Sequence, residues 1–351
     1  MDEPHGAWRP DRSRCASNIR ARRAGFRSLV KGFDTYWKNL PDYVLGITRE
    51  IWEDRKIHTL HRYYGADMPA RLPAGVVVGN RNVIGATMAT LAEFPDRTLL
   101  GEDVIWCGDE DDGFLSSHRL FSNATHTQDG QYGRATGKRL AYRVIADCAV
   151  KDNVIYDEWL VRDQGAIVRQ MGWEPREFAA NLIAREGGPE RCIKPMTPDN
   201  DVPAVYTGRG NDNEWGAAYA DILQRIMGAE LSVVEERYDR ACQVELPGGI
   251  TGHGTTVADR FWLGVRAAFP SATFSVHHVI GREDPRQPPR AAVRWSLWGK
   301  HDGWGAFGAP SGADVFVLGM SHAEFGPRGL CREYVLFDET AIWKQIALAT
   351  G

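Results

Sequence analysis

The sequence has few of the features that would assign a chemistry at once. Six cysteines among 351 residues have no CxxC spacing and no zinc-type spacing with histidine. Neither an HExxH motif nor a glycine-rich nucleotide loop of the Walker or Rossmann type occurs. No segment approaches the roughly 18 uninterrupted apolar residues of a membrane span. We therefore expect no metal, no cofactor, no membrane association, and free buried thiols in a cytoplasmic location.

An excess of charge of one sign is also missing, because 42 basic and 46 acidic side chains leave a net charge of -4. Such a balance does not favour nucleic acid as a partner of the whole chain. Basic residues are concentrated in residues 1–33, which we expect to form an arm that packs on a neighbouring subunit. A targeting peptide or a nucleic-acid-binding tail is the alternative. Arginine far outnumbers lysine, a bias common in bacteria with GC-rich genomes.

The most informative feature that is present is an internal repeat. Residues 51–170 align without a gap with residues 226–345, an offset of 175, and 22 of the 120 paired positions are identical. Average composition would give about seven identities by chance. A repeat this long indicates a duplicated domain. We predict an arm (1–33), a first domain (34–172), a linker (173–213) and a second domain (214–351).

Each copy has the same predicted order of elements. Two helical segments come first, and the second helix ends before a Phe-Pro pair, at Pro95 in one copy and Pro270 in the other. Strand-like segments follow at residues 99–107, 114–123, 139–150 and 154–162 of the first copy. Helices followed by antiparallel strands predict an α+β fold in which helices cover one face of a curved sheet.

One stretch of the first copy resembles a family signature. Residues 125–138 read THTQDGQYGRATGK, and residues 152–155, 158–159, 163 and 169–172 follow with the spacing of that signature. The chain therefore resembles the SnoaL-like polyketide cyclases of the nuclear transport factor 2-like superfamily, twice over. The resemblance implies two tandem cone-shaped α+β barrels, each around a pocket. Members commonly form dimers, so the duplication implies a pseudo-dimer within one chain, and further self-association remains open.

The chemistry that the resemblance implies is not matched residue by residue. In the cyclases, a carboxylate on the last strand acts as general acid/base and a histidine on the preceding strand assists. Leu160 and Val335 stand at the carboxylate position of the two copies, and Ala146 and Ser321 at the histidine position. None of these four side chains can transfer a proton. The superfamily also includes dehydratases, isomerases and non-catalytic carriers, so the fold does not select a reaction.

Other ionisable residues are therefore the candidates for catalysis. Asp103 and His118 are expected on neighbouring strands, where they could form a carboxylate-oriented imidazole. Asp147 lies one residue past the family's histidine position, and alternation would point it away from the pocket unless a β-bulge intervenes. A salt bridge between Asp147 and Arg143 is the structural alternative.

Glu158 and His126 are candidates because both copies retain them, as Glu333 and His301. Glu158 shares strand parity with the family's catalytic position, and a desolvated carboxyl there would have the raised pKa of a general acid. A salt bridge that holds the sheet is the alternative. The histidine lies in the glycine-rich loop, where it could transfer protons or brace the turn.

These residues suggest an enzyme that works in the first copy. We expect its hydrophobic pocket to be lined by the following residues: Tyr64, Trp106, Arg119, Trp159, His301 and His322. The predicted function is cofactor-independent general acid/base catalysis on a small apolar or aromatic molecule, of the cyclase, dehydratase or isomerase type. The alternatives are a non-catalytic protein that binds such a molecule and an assembly module.

Overall fold

The computed structural model describes residues 30–351, so most of the basic arm lies outside the described residues. The helical elements of the first copy are α1 (Leu40–Trp52), a 3-10 turn (Ile57–Thr59), α2 (Leu60–Tyr63), α3 (Asn80–Glu93) and α4 (Gln164–Met171). Its strands are β1 (Pro69–Leu72), β2 (Gly75–Val78), β3 (Thr98–Asp109), β4 (Gly113–Thr125), β5 (Arg139–Lys151) and β6 (Val154–Arg162).

The second copy repeats this order after a connecting helix, α5 (Pro175–Arg185). Its helices are α6 (Glu214–Met227), α7 (Ser232–Arg237), α8 (Thr255–Ala268) and α9 (Glu339–Thr350). Its strands are β7 (Tyr238–Leu246), β8 (Ile250–His253), β9 (Thr273–Arg282), β10 (Arg290–Lys300), β11 (Asp314–Gly326) and β12 (Gly329–Leu336). The helices α3 and α8 both end directly before the Phe-Pro pairs, as predicted.

Local sequence explains how the first helix forms and which side it buries. The Asn39 side chain accepts a hydrogen bond from the Asp42 backbone N–H at 2.9 Å and caps α1, and Pro41 occupies its first turn. Tyr43, Ile47 and Ile51 then recur at helical spacing, and all three are buried. This face of α1 packs onto the sheet of its own copy and forms part of the core there.

The two sheets have identical topology. The strand order is β2-β1-β6-β5-β4-β3 in the first sheet and β8-β7-β12-β11-β10-β9 in the second. Neighbouring strands are antiparallel except for the pairs β1 with β6 and β7 with β12, which are parallel. Helices lie against one face of each sheet. The predicted fold class, two tandem α+β units that each have helices packed on one face of a largely antiparallel sheet, is confirmed.

The other faces of the two sheets pack against each other and share one apolar core. Side chains of both copies form this core, among them Ile105, Ile145, Trp159, Val161, Ile280, Ala292, Leu318 and Met320. The central residues of the contact obey the 175-residue repeat. Each copy therefore presents the equivalent surface to the other, as the two subunits of a twofold dimer do.

Two equivalent arginines show this pseudo-twofold relation best. Arg119 lies 3.5 Å from the ring centroid of Tyr334 and donates to His322 Nδ1 at 3.1 Å. Its counterpart Arg294 lies 3.6 Å from the ring of Trp159 and donates to the Asp147 carboxylate at 2.9 Å. Each arginine thus stacks on an aromatic ring of the other copy. The repeat retains this arginine because it joins the copies.

The segment predicted as a linker is folded onto both copies. Arg71 of the first copy is fully buried, and it binds Asp157 of its own copy and Asp201 of the segment, the latter at 2.7 Å. Tyr206 of the segment has its hydroxyl 2.9 Å from His278 Nε2 in the second copy. Residues 173–213 therefore brace the two sheets as well as connecting them.

Three further observations concern the cysteines, the helices and possible metal ligands. All five cysteines within the described residues are free thiols, and Cys15 lies outside them. No helix of residues 30–351 is long and apolar enough to cross a membrane. Across the same residues, no three His, Cys, Asp or Glu side chains come together in a way that could hold a metal ion.

Candidate active site

A cavity of about 150 Å³ lies in the first copy between the helices and the concave face of the sheet. Most of its walls are apolar, and its polar lining residues include Tyr64, Arg97, His118, Glu158 and Arg162. Ala86, exposed on α3, lies at its rim. The alternation of strand side chains determines which residues can reach this space.

Three rows of cross-strand neighbours on β4, β5 and β6 form the sheet side of the cavity. In order along the sheet they are Ser116–Cys148–Glu158, His118–Ala146–Leu160 and Leu120–Val144–Arg162. The middle row contains Ala146 and Leu160, the positions at which the sequence resemblance implied catalytic side chains, and both line the cavity. Both side chains are apolar, so neither can transfer a proton.

Glu158 supplies a carboxyl group to this cavity. Its side chain is buried, and burial raises its pKa to about 7, although hydrogen bonds from Cys148 and Tyr64 oppose the shift. The Tyr64 hydroxyl donates to Glu158 Oε1 at 3.4 Å, and the Cys148 thiol lies 3.5 Å from the same oxygen. A carboxyl with this pKa exchanges its proton close to neutral pH.

His118 faces the same cavity from β4. Burial lowers its pKa to about 4, so its imidazole is neutral at pH 7. Its Nδ1 lies 3.3 Å from the Ser116 hydroxyl. Because β5 separates β4 from β6 and the two residues are offset by two positions along the strands, the backbones of His118 and Glu158 are roughly 12 Å apart. Both side chains project into the cavity from the same sheet wall.

The opposite end of the cavity contains two arginines that the sequence analysis missed. Arg97 precedes β3, and Arg162 ends β6. Both line the cavity. Arg162 shares strand parity with Glu158, which was a usable signal. The repeat was a second signal, because Ala272 and Phe337 stand at the equivalent positions of the other copy.

The equivalent region of the second copy is filled by aromatic rings. Trp262, Trp295 and Phe337 stand where the first copy has Thr87, Leu120 and Arg162. The ring centroids of Trp262 and Trp295 are 6.1 Å apart, and those of Trp295 and Phe337 are 6.5 Å apart. Gly319, in place of Val144, makes room, because a Cβ there would lie 2.2 Å from the Trp295 ring. The two tryptophans are fully buried.

Glu333, the counterpart of Glu158, is enclosed by hydrogen-bond donors. Tyr219 and Tyr238 donate to its Oε1, each at 2.9 Å, and Trp262 Nε1 donates to its Oε2 at 3.2 Å. Burial raises its pKa to about 7 as well. The pKa therefore does not distinguish the two glutamates. The surroundings distinguish them, because Glu158 lines the cavity and Glu333 accepts hydrogen bonds from three buried side chains.

The predicted pair of Asp103 and His118 is wrong. A register shift between Gly101 and Asp103 places Asp103 opposite Arg119 and Val104 opposite His118. This bulge turns Asp103 to the outer face of the sheet, where it binds Arg290 of the second copy. The Asp103 carboxylate therefore belongs to the contact between the copies, while His118 remains in the cavity.

Asp147 also lies in that contact, where alternation placed it. Its carboxylate pairs with Arg294 of the second copy at 2.9 Å, and not with Arg143 as the alternative suggested. His322, its repeat counterpart, lies 2.9 Å from Ser117 and likewise faces the other copy. The prediction that Asp147 is catalytic and that His322 lines the pocket is wrong, because no bulge interrupts the pairing of β5 with β4 or of β11 with β10.

Three other predicted pocket residues also lie outside the cavity. Arg119 and Trp159 are the stacking residues of the contact between the copies described above. Trp106 packs edge-on against Phe114 at 5.6 Å, with the Arg282 guanidinium 4.0 Å from its ring centroid. Of the residues predicted to line the pocket, only Tyr64 lies in the cavity wall.

The histidine that both copies retain braces the glycine-rich loop. Nε2 of His126 is 3.1 Å from the Glu93 carboxylate, and its Nδ1 is 3.1 Å from the Thr136 hydroxyl. His301 is equally buried, and its Nδ1 is 3.0 Å from the Ser311 hydroxyl. Neither histidine lines the cavity. Hydrogen bonding within the turn accounts for their retention.

Solved structures similar to this chain each align with about one copy. IdmH from Streptomyces antibioticus, described as a candidate polyketide cyclase, is 23% identical, with 38% of this chain and 98% of that protein covered and a TM-score of 0.33. A SnoaL-like polyketide cyclase from Agrobacterium tumefaciens is 18% identical, with 38% and 99% covered and a TM-score of 0.33. At these identities the likeness concerns the fold alone.

A third similar structure has a different description. AclR from Streptomyces galilaeus, described as a candidate hydroxylase, is 15% identical, with 38% of this chain and 94% of that protein covered and a TM-score of 0.33. No family model matches the sequence, and no curated protein matches it significantly.

Proposed function

We propose that the chain is a cofactor-independent enzyme whose first copy catalyses proton transfer on a small molecule, with Glu158 as the general acid/base. One observation carries the proposal: Glu158 is a buried carboxyl with a pKa of about 7 beside open space, whereas its counterpart Glu333 is enclosed by three donors. A carboxyl that served only the fold would have no need of a cavity. The second copy serves as the structural partner.

The chemical step is removal of a proton from a carbon next to a carbonyl group. The Glu158 carboxylate takes the proton, and the electron pair of the C–H bond moves into an enolate. Return of the proton to another carbon gives isomerisation, and its delivery to a departing hydroxyl gives dehydration. Attack of the enolate on a second carbonyl forms the ring bond, and the proton held by Glu158 passes to the resulting alkoxide, which completes cyclisation. Tyr64 holds the carboxylate through its hydrogen bond, and neutral His118 faces the substrate from the same sheet wall, two strands away.

Deuterium exchange tests this step without knowledge of the natural substrate. Small cyclic and aromatic ketones and keto acids are incubated with the protein in D₂O, and loss of the α-proton signal is followed by NMR. The exchange rate should rise with pH through about 7, because the base is ionised Glu158. Glu158→Gln should lower the rate about 10²- to 10⁴-fold, the usual contribution of a general base.

Glu333→Gln is the matched control, since it makes the same change in the filled copy. It should leave the exchange rate per folded molecule unchanged. Wild-type exchange in the Glu158→Gln variant would remove Glu158 from the mechanism. Equal loss in both variants would indicate that the substitutions act through the fold.

The second candidate is a non-catalytic binding protein. The apolar residues Ala146 and Leu160 in the middle of the sheet wall favour it, because they would contact a ligand without reacting. This candidate predicts saturable binding in the first copy with no exchange of any bound ketone. We further propose a cytoplasmic location, supported by the free buried thiols.

A further inference from the structure

The two arginines at the far end of the cavity are not in contact with any carboxylate of the described residues, although the Asp338 carboxyl of the second copy lies near enough to Arg162 to attract it. Within residues 30–351, no carboxylate oxygen lies within 4.0 Å of either guanidinium, although salt bridges are common elsewhere in the molecule. Only 4% of the Arg97 surface is exposed, and its Nη1 has no hydrogen-bond partner. The Nε of Arg162 is likewise buried without a partner. Buried charges of one sign are costly unless something pairs with them.

Neutral side chains hold the Arg97 guanidinium in place. Arg97 Nε donates to the Ser122 hydroxyl at 3.3 Å, and its guanidinium lies 4.3 Å from the ring centroid of Trp52. Burial alone would raise the pKa of Tyr142, but the nearby charges of Arg97 and Arg162 lower it below its usual value. That effect reports a positive potential at this end of the cavity.

The fold itself does not require these charges. The second copy forms the same sheet with Ala272 and Phe337 at the equivalent positions, and Phe337 packs there among aromatic rings. Arginines occur only in the copy that has the cavity. Two guanidinium groups that line the cavity and contact no carboxylate of residues 30–351 are what a ligand with negatively charged acceptor atoms would complete.

We propose that Arg97 and Arg162 bind the carboxylate of a small, single-ring or short-chain substrate whose reacting carbon lies toward Glu158. The planar guanidinium groups match a carboxylate in shape and charge. The cavity, at about 150 Å³, is comparable to an engineered cavity that holds benzene, so a single ring fits and a fused polycycle does not. Four residues of strand separate Arg162 from Glu158, roughly 13 Å between Cα atoms.

This inference deepens the proposed function, on which its account of the reacting carbon rests, but the binding site stands without it. Benzoate and its neutral isostere benzamide are the probes, and isothermal titration calorimetry measures their affinities for the full chain. Benzoate should bind at least 10-fold more tightly than benzamide. Arg97→Met and Arg162→Met should each weaken benzoate binding roughly 10- to 100-fold, the usual contribution of a hydrogen bond to a charged group.

The controls separate loss of charge from loss of fold. Arg81→Met removes an exposed arginine from α3, a helix that lines the cavity, and should leave both affinities unchanged. Benzamide should bind both cavity variants as well as it binds wild type, so an unfolded variant is recognised by loss of both ligands. Arg162→Lys should retain part of the preference for benzoate.

The outcomes also separate this inference from the proposed function. Preference for benzamide, absence of benzoate binding, or a benzoate preference that survives in both Met variants would each overturn the anion site. Benzoate preference with no deuterium exchange of any ketone would keep the anion site and remove the acid/base function. Deuterium exchange at equal rates for ketones and keto acids, together with no preference for benzoate, would keep the acid/base function and remove the anion site.

Discussion

The strongest test of the buried carboxyl is how the substitution Glu158→Gln changes stability with pH. The pKa of Glu158 is about 7 in the folded chain and 4.5, its ordinary value, in the unfolded chain. This difference corresponds to about 3 kcal/mol in the free energy of unfolding. Between these two values the folded state binds more protons than the unfolded state. The stabilisation linked to Glu158 is therefore fully present below pH 4.5 and is lost as the pH rises through about 7.

Glutamine at position 158 removes this dependence. Near pH 4.5 the variant should match wild type, because the amide oxygen can still accept from Tyr64 and Cys148. At pH 8 the variant should be more stable than wild type by about 3 kcal/mol. For Glu333→Gln, the stability difference from wild type should change with pH in the same way. This difference should be lower by about 1 to 3 kcal/mol at every pH than it is for Glu158→Gln, because the amide nitrogen would face the Trp262 N–H.

Urea denaturation at pH 5, 6.5 and 8, followed by tryptophan fluorescence, measures these differences. Asp163 and Asp338 also have raised pKa values of about 6, but both cancel when variant and wild type are compared. A stability difference between Glu158→Gln and wild type that stays constant from pH 5 to 8 would refute the reasoning. It would mean that Glu158 is ionised and solvated in the folded chain.

Two further predictions concern the cavity and the contact between the copies. Leu120→Trp combined with Val144→Gly copies the filled interior of the second copy, and calorimetry should show benzoate binding lost while urea denaturation remains close to wild type. Binding that persists would place the ligand elsewhere. Asp147→Ala leaves Arg294 buried and unpaired, so unfolding should become easier by about 3 to 5 kcal/mol, with deuterium exchange unchanged in the folded protein. Lost exchange in a folded Asp147→Ala protein would restore Asp147 to the chemistry.

The fold could be predicted because the spacing of apolar residues and the 175-residue repeat can both be recognised in the sequence alone. Helices that stop at Phe-Pro pairs and a strict alternation along β5 and β6 were enough to place Glu158 on the concave face and Asp147 on the outer face. The same alternation could have found Arg162. The repeat, read for differences as well as identities, could have found Arg97, because Ala272 replaces it.

Other parts of the site depend on information that alternation does not contain. Asp103 was paired with His118 because a regular hairpin would place them opposite each other, and one bulge moved Asp103 by one position. Arg119 and Trp159 were assigned to the pocket because polar and aromatic residues on strands serve pockets and interfaces equally well. Which sheet face meets the other copy is decided by packing between residues far apart in the chain.

The aromatic rings that fill the second copy have a consequence for how the protein responds to its ligand. A dimer of two open cones has two equal sites, which can influence each other across the shared sheet contact. In this protein aromatic side chains fill the interior of the second copy, so only the first copy can bind a ligand. A titration should therefore saturate at one ligand per chain with a Hill coefficient of one. The duplication thus supplies the dimer's rigidity without its capacity for cooperative binding.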